Sequence, residues 1–577
     1  MKHLIQLKKN WRAVFSNGTG RDLELPFLQS ANDAESTVLY TRGFTVPADD
    51  AHEVCCLTLL YLSGAYTVRI DGTQVCTHNG LFAPFSCDIS SYVKKGKKQL
   101  LEILVHPVAT PAGMYTFGGA LLSLLPATHF DLTTPASQPL TIKTEFENGS
   151  ALIYADVRIA QPTNYDILTY KLFDPRGRVL RTQTVKPTSP QICVSVPDPV
   201  LWDGTDEQYR YTLTAALKRD SAVIDRTQTS FGLRDLQLED DGLLRMNGMR
   251  VPLSGISLPP EPLNGRTVDS LRDLACSAVI LETVFPDEEL LSTCDKLGVL
   301  VFFMFPFTDL PGGKEELLAS VRMLSPHPCI CAYGYLPQDI DLARSFVHTI
   351  RLAKNDVLTF GGTSILYQQS FTDAVPDILL LKADFPEDSA GQNSFENRFL
   401  AACADQPGLR FAVLASPPDS VACDRAALCR WHEALWRIFG NKKNVTAYFA
   451  GPLETAGQDQ PALLDAATGE KTDAYWFYRA QFSTDPTVRI SSSQPLLTSE
   501  RRISLRCLST DPSVSLLVNG KTQQGVVCDE LPSHICVFRG VRLKHGSNTL
   551  VLTDGSRTDS CVIRRQKTPK KKKIDDG

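Results

Sequence analysis

The chain has 577 residues, 43% apolar and 21% charged, with a formal net charge of -5. This length suits roughly three to five domains. The mild acidity argues against nucleic acid as a partner, because a phosphate backbone selects basic surfaces. Lys570 to Lys573 form a basic run inside the segment 567–577, which reads as a disordered, solvated tail. Residues 1–10 hold no apolar stretch of signal-peptide length, and no run reaches the length of a membrane span. The expectation is therefore a cytoplasmic protein with no membrane partner. Its 16 cysteines are scattered without a C-x-x-C pair, and Cys329-x-Cys331 is too tight and apolar for half a zinc site. They read as small buried hydrophobes in a reducing compartment.

Residues 1–125 read as a β-sandwich. The run 54–62 is apolar, 66–70 alternates, and Asp71-Gly72 supplies a hairpin turn tolerant of positive φ, followed by a strand over 100–105. Residues 126–235 carry strands at 140–144 and 211–217, predicting a second, smaller sandwich. Between 236 and 485 strands alternate with helices. Residues 268–277 have helical spacing, 278–281 is a strand, 288–297 is a helix closed by Gly298, and 299–305 is a strand. Strands at 378–381 and 411–414 and a helix over 424–438 extend the series. Continuous apolar strands suit a parallel sheet buried on both faces, and a (β/α)₈ barrel is the natural closure. The span is short for one, which predicts trimmed or missing helices. Residues 486–566 return to strands, at 504–508, 514–521 and 538–550, predicting a C-terminal sandwich.

Several stretches carry more than fold information. Tyr40-Thr41-Arg42-Gly43-Phe44-Thr45-Val46-Pro47, Val68-Arg69-Ile70-Asp71-Gly72-Thr73-Gln74-Val75 and His78-Asn79-Gly80-Leu81-Phe82-Ala83-Pro84-Phe85 follow one another in the first sandwich. Pro199-Val200-Leu201-Trp202-Asp203 and Phe231-Gly232-Leu233-Arg234 close the second. His327-Pro328-Cys329-Ile330-Cys331-Ala332-Tyr333-Gly334-Tyr335-Leu336-Pro337-Gln338-Asp339 lies in the alternating region. In order and spacing these resemble glycoside hydrolase family 2, the β-galactosidase and β-glucuronidase family. Its motifs read Y-R-x-x-F-x-V-P, V-x-x-N-G-x-x-V, H-x-G-G-Y-x-P-F, P-x-L-W-S, F-G-x-R and H-P-S-I-x-x-W-S-L-G-N-E. The resemblance implies a sugar-binding-like jelly-roll sandwich, an immunoglobulin-like sandwich, a catalytic-like TIM barrel and a C-terminal immunoglobulin-like sandwich. It also implies chemistry at O-glycosidic bonds, a carbohydrate or glycoconjugate partner, and the homo-oligomers frequent in the family.

Retaining glycoside hydrolysis needs two carboxyl groups about 5 Å apart, one acid/base and one nucleophile. The family places them after barrel strands four and seven. Anchored on His327-Pro328, the family's Asn reads Pro337 and its acid/base Glu reads Gln338. An amide has no proton to give near neutral pH; a shift of one residue brings in Asp339 instead. The family's P-x-x-x-S-E-Y-G reads Leu409 through Pro418, so Ala415 or Ser416 takes the nucleophile position. Its R-G-x-N-x-H reads Ser254-Gly255-Ile256-Ser257-Leu258-Pro259, and the acidic residue after strand three becomes Met304 or Phe305. Losing a general acid costs about 10²–10⁴-fold. Losing the nucleophile removes the covalent route.

Glu282, Asp339 and Asp384 remain as substrate-binding candidates near predicted strand ends, and Glu282 with Asp339 is the rearranged pair to test. His327 reads as a structural hydrogen-bonding residue, Trp202 as a core or interdomain anchor, and Trp431 and Trp436 as core. No cluster has metal-ligand spacing. Gly118-Gly119 and Gly312-Gly313 are too short for a phosphate or dinucleotide loop, so no cofactor is expected. The expectation is a family 2-like protein that is catalytically inactive and keeps a carbohydrate-binding or assembly role. The alternative is an active β-glycosidase with rearranged carboxylates.

Overall fold

A computed structural model of the chain describes residues 2–30, 37–80, 83–107, 114–134, 138–204, 209–258, 263–283, 288–305, 313–336, 340–354, 356–362, 376–383, 388–405, 407–418, 425–440, 442–454, 462–465, 468–492, 496–523, 527–531 and 533–566. Alternating apolar strands and buried βα units gather these residues around four large apolar cores.

The first core lies between a four-stranded and a six-stranded antiparallel sheet. Tyr40, Phe44 and Val68 point into it, and Trp11 is buried there with its Nε1 donating to the Leu7 carbonyl at 2.6 Å. Asp71 and Gly72 adopt φ of 49° and 78°, the left-handed pair a two-residue hairpin turn requires. The Asp71 carboxylate also accepts from Leu100 N and Gln99 Nε2, tying the turn to the neighbouring strand. The second core lies between a three-stranded and a four-stranded sheet, and the fourth lies between sheets of four and five strands.

The third core is a closed parallel barrel. Its strands are β1 (Leu253–Leu258), β2 (Ala278–Glu282), β3 (Leu300–Phe305), β4 (Ile330–Tyr335), β5 (Leu358–Gly362), β6 (Ile378–Ala383), β7 (Phe411–Ala415) and β8 (Val445–Pro452). The described helices are α1 (Gly265–Asp273), α2 (Glu288–Leu297), α3 (Gly313–Leu324), α4 (Ile340–Ala353), α5 (Ser389–Asp405), α6 (Arg425–Phe439) and α7 (Asp473–Phe482). Each strand but β5 is followed by one of these helices; after β5, residues 363–375 lie outside the described set. None of the described helices is long and apolar enough to cross a membrane.

Some elements differ from the sequence reading. Helix α1 begins earlier than 268, because Asn264 caps it by accepting from Thr267 N at 2.9 Å, and it stops at Asp273 before Ala275 turns to φ 52°. Its first turn is polar, so apolar spacing alone passed over it. The stretch 514–521 is a hairpin broken at Asn519-Gly520, φ 54° and 76°. The last strands are Ile535–Arg542, Gly546–Thr553 and Thr558–Arg565, the final one polar enough to hide its pattern.

All three sandwiches dock on the barrel's outside. The Glu316 carboxylate on α3, buried at 6% exposure, accepts from Ala83 N of the first sandwich at 2.7 Å. The second sandwich is held by an ion knot. Asp295 of α2 is buried, and its carboxylate accepts from Arg210 Nη2 at 2.8 Å, Cys329 N at 2.9 Å and the His327 ring at 2.8 Å. Exposed Glu288 meets the other His327 nitrogen at 3.0 Å. Trp202 is fully buried and donates to the Asp295 carbonyl at 2.8 Å, so it is the interdomain anchor expected. Gly298 ends α2 at φ 69° and lies against Gly204 so closely that neither could carry a Cβ. At the far end, Asp273 accepts from Lys471, Tyr475 and Arg479, and Arg479 continues to Thr487 Oγ1 at 2.7 Å. Burial works against the Asp273 charge, but these hydrogen bonds outweigh it and set its pKa at about 2.

Burial is also the largest influence on His327 and would strip its proton. Hydrogen bonds to Asp295 and Glu288, with their charges, overcome it and raise the imidazole to about 9. An unfolded histidine releases its proton near about 6.5. The knot is therefore fully stabilising below that pH and is lost as pH climbs through about 9. In urea unfolding followed by tryptophan fluorescence, Asp295→Ala is expected to cost about 3–5 kcal/mol, the penalty for leaving a buried cation unpaired. Wild-type stability is expected to fall between pH 6.5 and 9, a slope that His327→Gln removes. An alkaline slope unchanged in His327→Gln contradicts this assignment.

Candidate functional site

Ring contacts fix which side chains enter the barrel. Phe302 on β3 lies 5.3 Å from Phe360 on β5 and 5.2 Å from Phe449 on β8, centroid to centroid. These strands are not neighbours, so the rings meet inside the lumen. A Cβ on Gly334 of β4 would overlap the Phe360 ring, which places Gly334 on the same side. In-register residues on parallel strands share a face, and faces alternate along each strand. Pairings of Ile280 with Phe302, Ser257 with Ile280, and Leu414 with Phe449 carry the assignment around the barrel.

The mouth lies at the C-terminal ends of these strands, where barrel enzymes hold their chemistry. The lumen-facing residues there are Ser257, Glu282, Met304, Leu336, Lys382 and Ser416. Glu282 is level with Met304, and Lys382 is level with Leu414. Ser257, Glu282 and Ser416 are partly buried, Lys382 is exposed and Met304 is buried. Below them the phenylalanine rings form an apolar floor. Among the described residues the mouth therefore offers one carboxylate, one ammonium and two hydroxyls above a filled barrel. Such a set can hydrogen-bond a polyhydroxylated ligand and orient an anionic one.

Of the two candidates after the seventh strand, Ser416 falls on the lumen side. Ala415 is fully buried on the opposite side of β7. Pro417 and Pro418 follow, so among the described residues this strand end carries no carboxylate. Met304, not Phe305, faces the lumen at the end of β3; Phe305 packs outward against Tyr333 and Phe346. Pro337, Gln338, Asp339 and Asp384 lie outside the described residues, as does Asp309. The pairing of Glu282 with Asp339 therefore lies outside the described residues. Lys382 escaped the sequence reading. Its signal was a single charge at the end of an apolar parallel strand, where only the mouth can accommodate it.

Several other described side chains serve packing and docking. His327 belongs to the ion knot, and Trp431 and Trp436 on α6 are buried. His432 on α6 meets Tyr478 Oη at 2.9 Å, which in turn meets Tyr448 Oη of β8 at 3.0 Å, and burial pulls its pKa down to about 3. Asp295, His327 and Cys329 bring possible ligand atoms within 4.8 Å of one another. Arg210 occupies the same Asp295 oxygen as His327, so positive charge is already supplied there. Burial also holds the Cys329 thiol well above its ordinary pKa, against metal ligation.

Comparison with known proteins agrees with this architecture. Residues 138–234 match the model for glycosyl hydrolases family 2. A β-glucuronidase of Bacteroides fragilis is 20% identical, over 97% of this chain and 93% of its own. A β-galactosidase of Thermoanaerobacter pseudethanolicus is 24% identical over 48% of this chain and 41% of its own. Among solved structures, an FMN-binding β-glucuronidase from Facaelibacterium prausnitzii L2-6 has a TM-score of 0.79 at 20% identity, with 98% of both chains covered. Bacteroides uniformis β-glucuronidase 2, covalently bound to cyclophellitol-6-carboxylate aziridine, has a TM-score of 0.77 at 15% identity, covering 98% of this chain and 81% of its own.

The filled lumen makes its own prediction. Gly334→Ala is expected to cost about 1–3 kcal/mol by overpacking against Phe360. Combining it with Phe360→Leu, which removes the overlapping ring, is expected to cost less than the sum of the two single changes in denaturant unfolding. Strict additivity would place Gly334 outside the lumen.

Proposed function

We propose that this chain is a hydrolytically silent member of glycosyl hydrolases family 2, whose model it matches over residues 138–234, and that it holds an uncleaved carbohydrate at its barrel mouth. The division we adopt is a jelly-roll sandwich at 1–125, an immunoglobulin-like sandwich at 126–235, the barrel at 236–485 and a C-terminal sandwich at 486–566, consistent with the four cores.

The observation that carries the reading is the end of β7. A serine faces the lumen where the double-displacement route needs a carboxylate. Attack by the Ser416 hydroxyl would not substitute. The product would be an alkyl glycoside, as resistant to water as the starting glycoside, whereas an acylal-type glycosyl ester is activated for release. At the strand-four site the alignment puts an amide, Gln338, where the proton donor belongs. Among the described lumen-facing residues, Glu282 supplies one acid of the two that either retaining or inverting hydrolysis requires.

The mouth remains suited to a sugar. Glu282, Ser257 and Ser416 offer hydrogen bonds to hydroxyls, and Lys382 offers a charge partner to an acidic sugar. The relatives' names point to glucuronides and galactosides as the ligands to try. A rearranged active site, with Glu282 opposite Asp339, is the second reading, favoured by the one partly buried carboxylate on the lumen side.

With purified protein, 4-nitrophenyl β-glucuronide and β-galactoside are expected to release no nitrophenol above buffer. Calorimetry with glucuronides is expected to show binding that Lys382→Ala weakens about tenfold, the worth of one charge-assisted hydrogen bond. Turnover abolished by Asp339→Asn or Glu282→Gln would establish the rearranged enzyme. Absence of both turnover and sugar binding would leave an assembly role.

A further inference from the structure

The first sandwich contains a feature that the carbohydrate reading does not use. Cys76 lies on the strand Thr73–Gly80, at the edge of the six-stranded sheet, and Cys87 lies on Phe85–Asp88, at the edge of the opposing four-stranded sheet. Their sulfurs are 3.1 Å apart, and both are free thiols that retain partial exposure. Two residues along each strand, His78 and Phe85 stack across the same gap at 4.1 Å. The two sheets are thus held together at this edge by two facing pairs. One is an aromatic contact and the other a pair of thiols.

We propose that Cys76 and Cys87 are a redox modification site, closed to an intramolecular disulfide by low-molecular-weight disulfides and reopened by thiols. Bond formation requires the sulfurs to approach to about 2 Å, roughly 1 Å of travel from their present separation. The two cysteines lie on different sheets but within one short stretch of chain, so the bridge closes a small loop. The Cys76 thiolate attacks one sulfur of the small disulfide, breaking its S–S bond and releasing one thiolate. That thiolate takes the Cys87 proton. Cys87 then attacks the Cys76 sulfur and expels the second thiolate, which takes a proton from solvent. The protein loses two hydrogens and the small disulfide becomes two thiols.

The hydrogen bond between the sulfurs favours this order. It lowers the pKa of Cys76, and Cys87 is held up by the same bond and by burial, so Cys76 ionises first with the Cys87 proton beside it. The consequence reaches the barrel. His78 approaches Glu316 of α3 at 3.7 Å, and Ala83 N donates to the same carboxylate. Both residues lie between the two cysteines in sequence, so a bridge would pin the segment through which the first sandwich grips α3.

The test treats full-length protein with glutathione disulfide, blocks remaining thiols with iodoacetamide and maps proteolytic peptides. The expected result is a Cys76–Cys87 cross-linked peptide, lighter by two hydrogens than its reduced pair and restored by dithiothreitol. Limited proteolysis within residues 77–86 is expected to slow on oxidation in the wild type and to stay unchanged in Cys87→Ser. Recovery of both cysteines alkylated, or a glutathione adduct that persists on wild-type Cys76, overturns the proposal. The wild-type peptide map decides the matter even if Cys87→Ser folds poorly.

Discussion

Closure of eight parallel strands limits which side chains of this protein can meet a ligand. Once Phe302, Phe360 and Phe449 meet inside the lumen, alternation leaves each strand one residue to present at the mouth. A slip of one position would turn Ser416, Glu282 and Lys382 into the helix layer and bring Ala415, Leu281 and Leu381 inward. Gly334 matters for the same reason. It yields lumen space that the Phe360 ring occupies, so the barrel is filled beneath its mouth.

The barrel is not free to adjust that arrangement locally. Asp295 joins α2, the start of β4 and the second sandwich in one buried knot, and Glu316 joins α3 to the first. Asp273 and Arg479 do the same for the C-terminal sandwich. Charges in these junctions are matched, two acids against two bases in the His327 knot. Polar residues in these junctions are paired, while the described end of β7 presents Ser416 to the lumen.

Much of the fold was legible in the chain. The Asp71-Gly72 turn, the helix stop at Gly298 and the buried runs of β2, β3, β6 and β7 each carry a local signal, and the ordered family motifs joined them into domains. The candidate site was legible only in part. Choosing between Ala415 and Ser416, or Met304 and Phe305, needs the register of neighbouring strands. A strand apolar on both faces has no period from which that can be read. Lys382 went unnoticed because one charge at a strand end looks like an ordinary solvated residue. Trp202 was identifiable as an anchor, but its partner, the Asp295 carbonyl, is 93 positions away. No local pattern could have named it.

The central proposal is that no carboxylate at the barrel mouth takes a glycosyl group. A cyclophellitol aziridine bearing a carboxylate, the kind of reagent found bonded to the Bacteroides uniformis relative, tests it directly, because its strained ring opens on an enzymic nucleophile and leaves a permanent mass increase. Incubation of the intact protein followed by mass spectrometry is expected to return the unmodified mass. A single stoichiometric adduct, mapped to a Glu or Asp of the barrel mouth, would contradict the account.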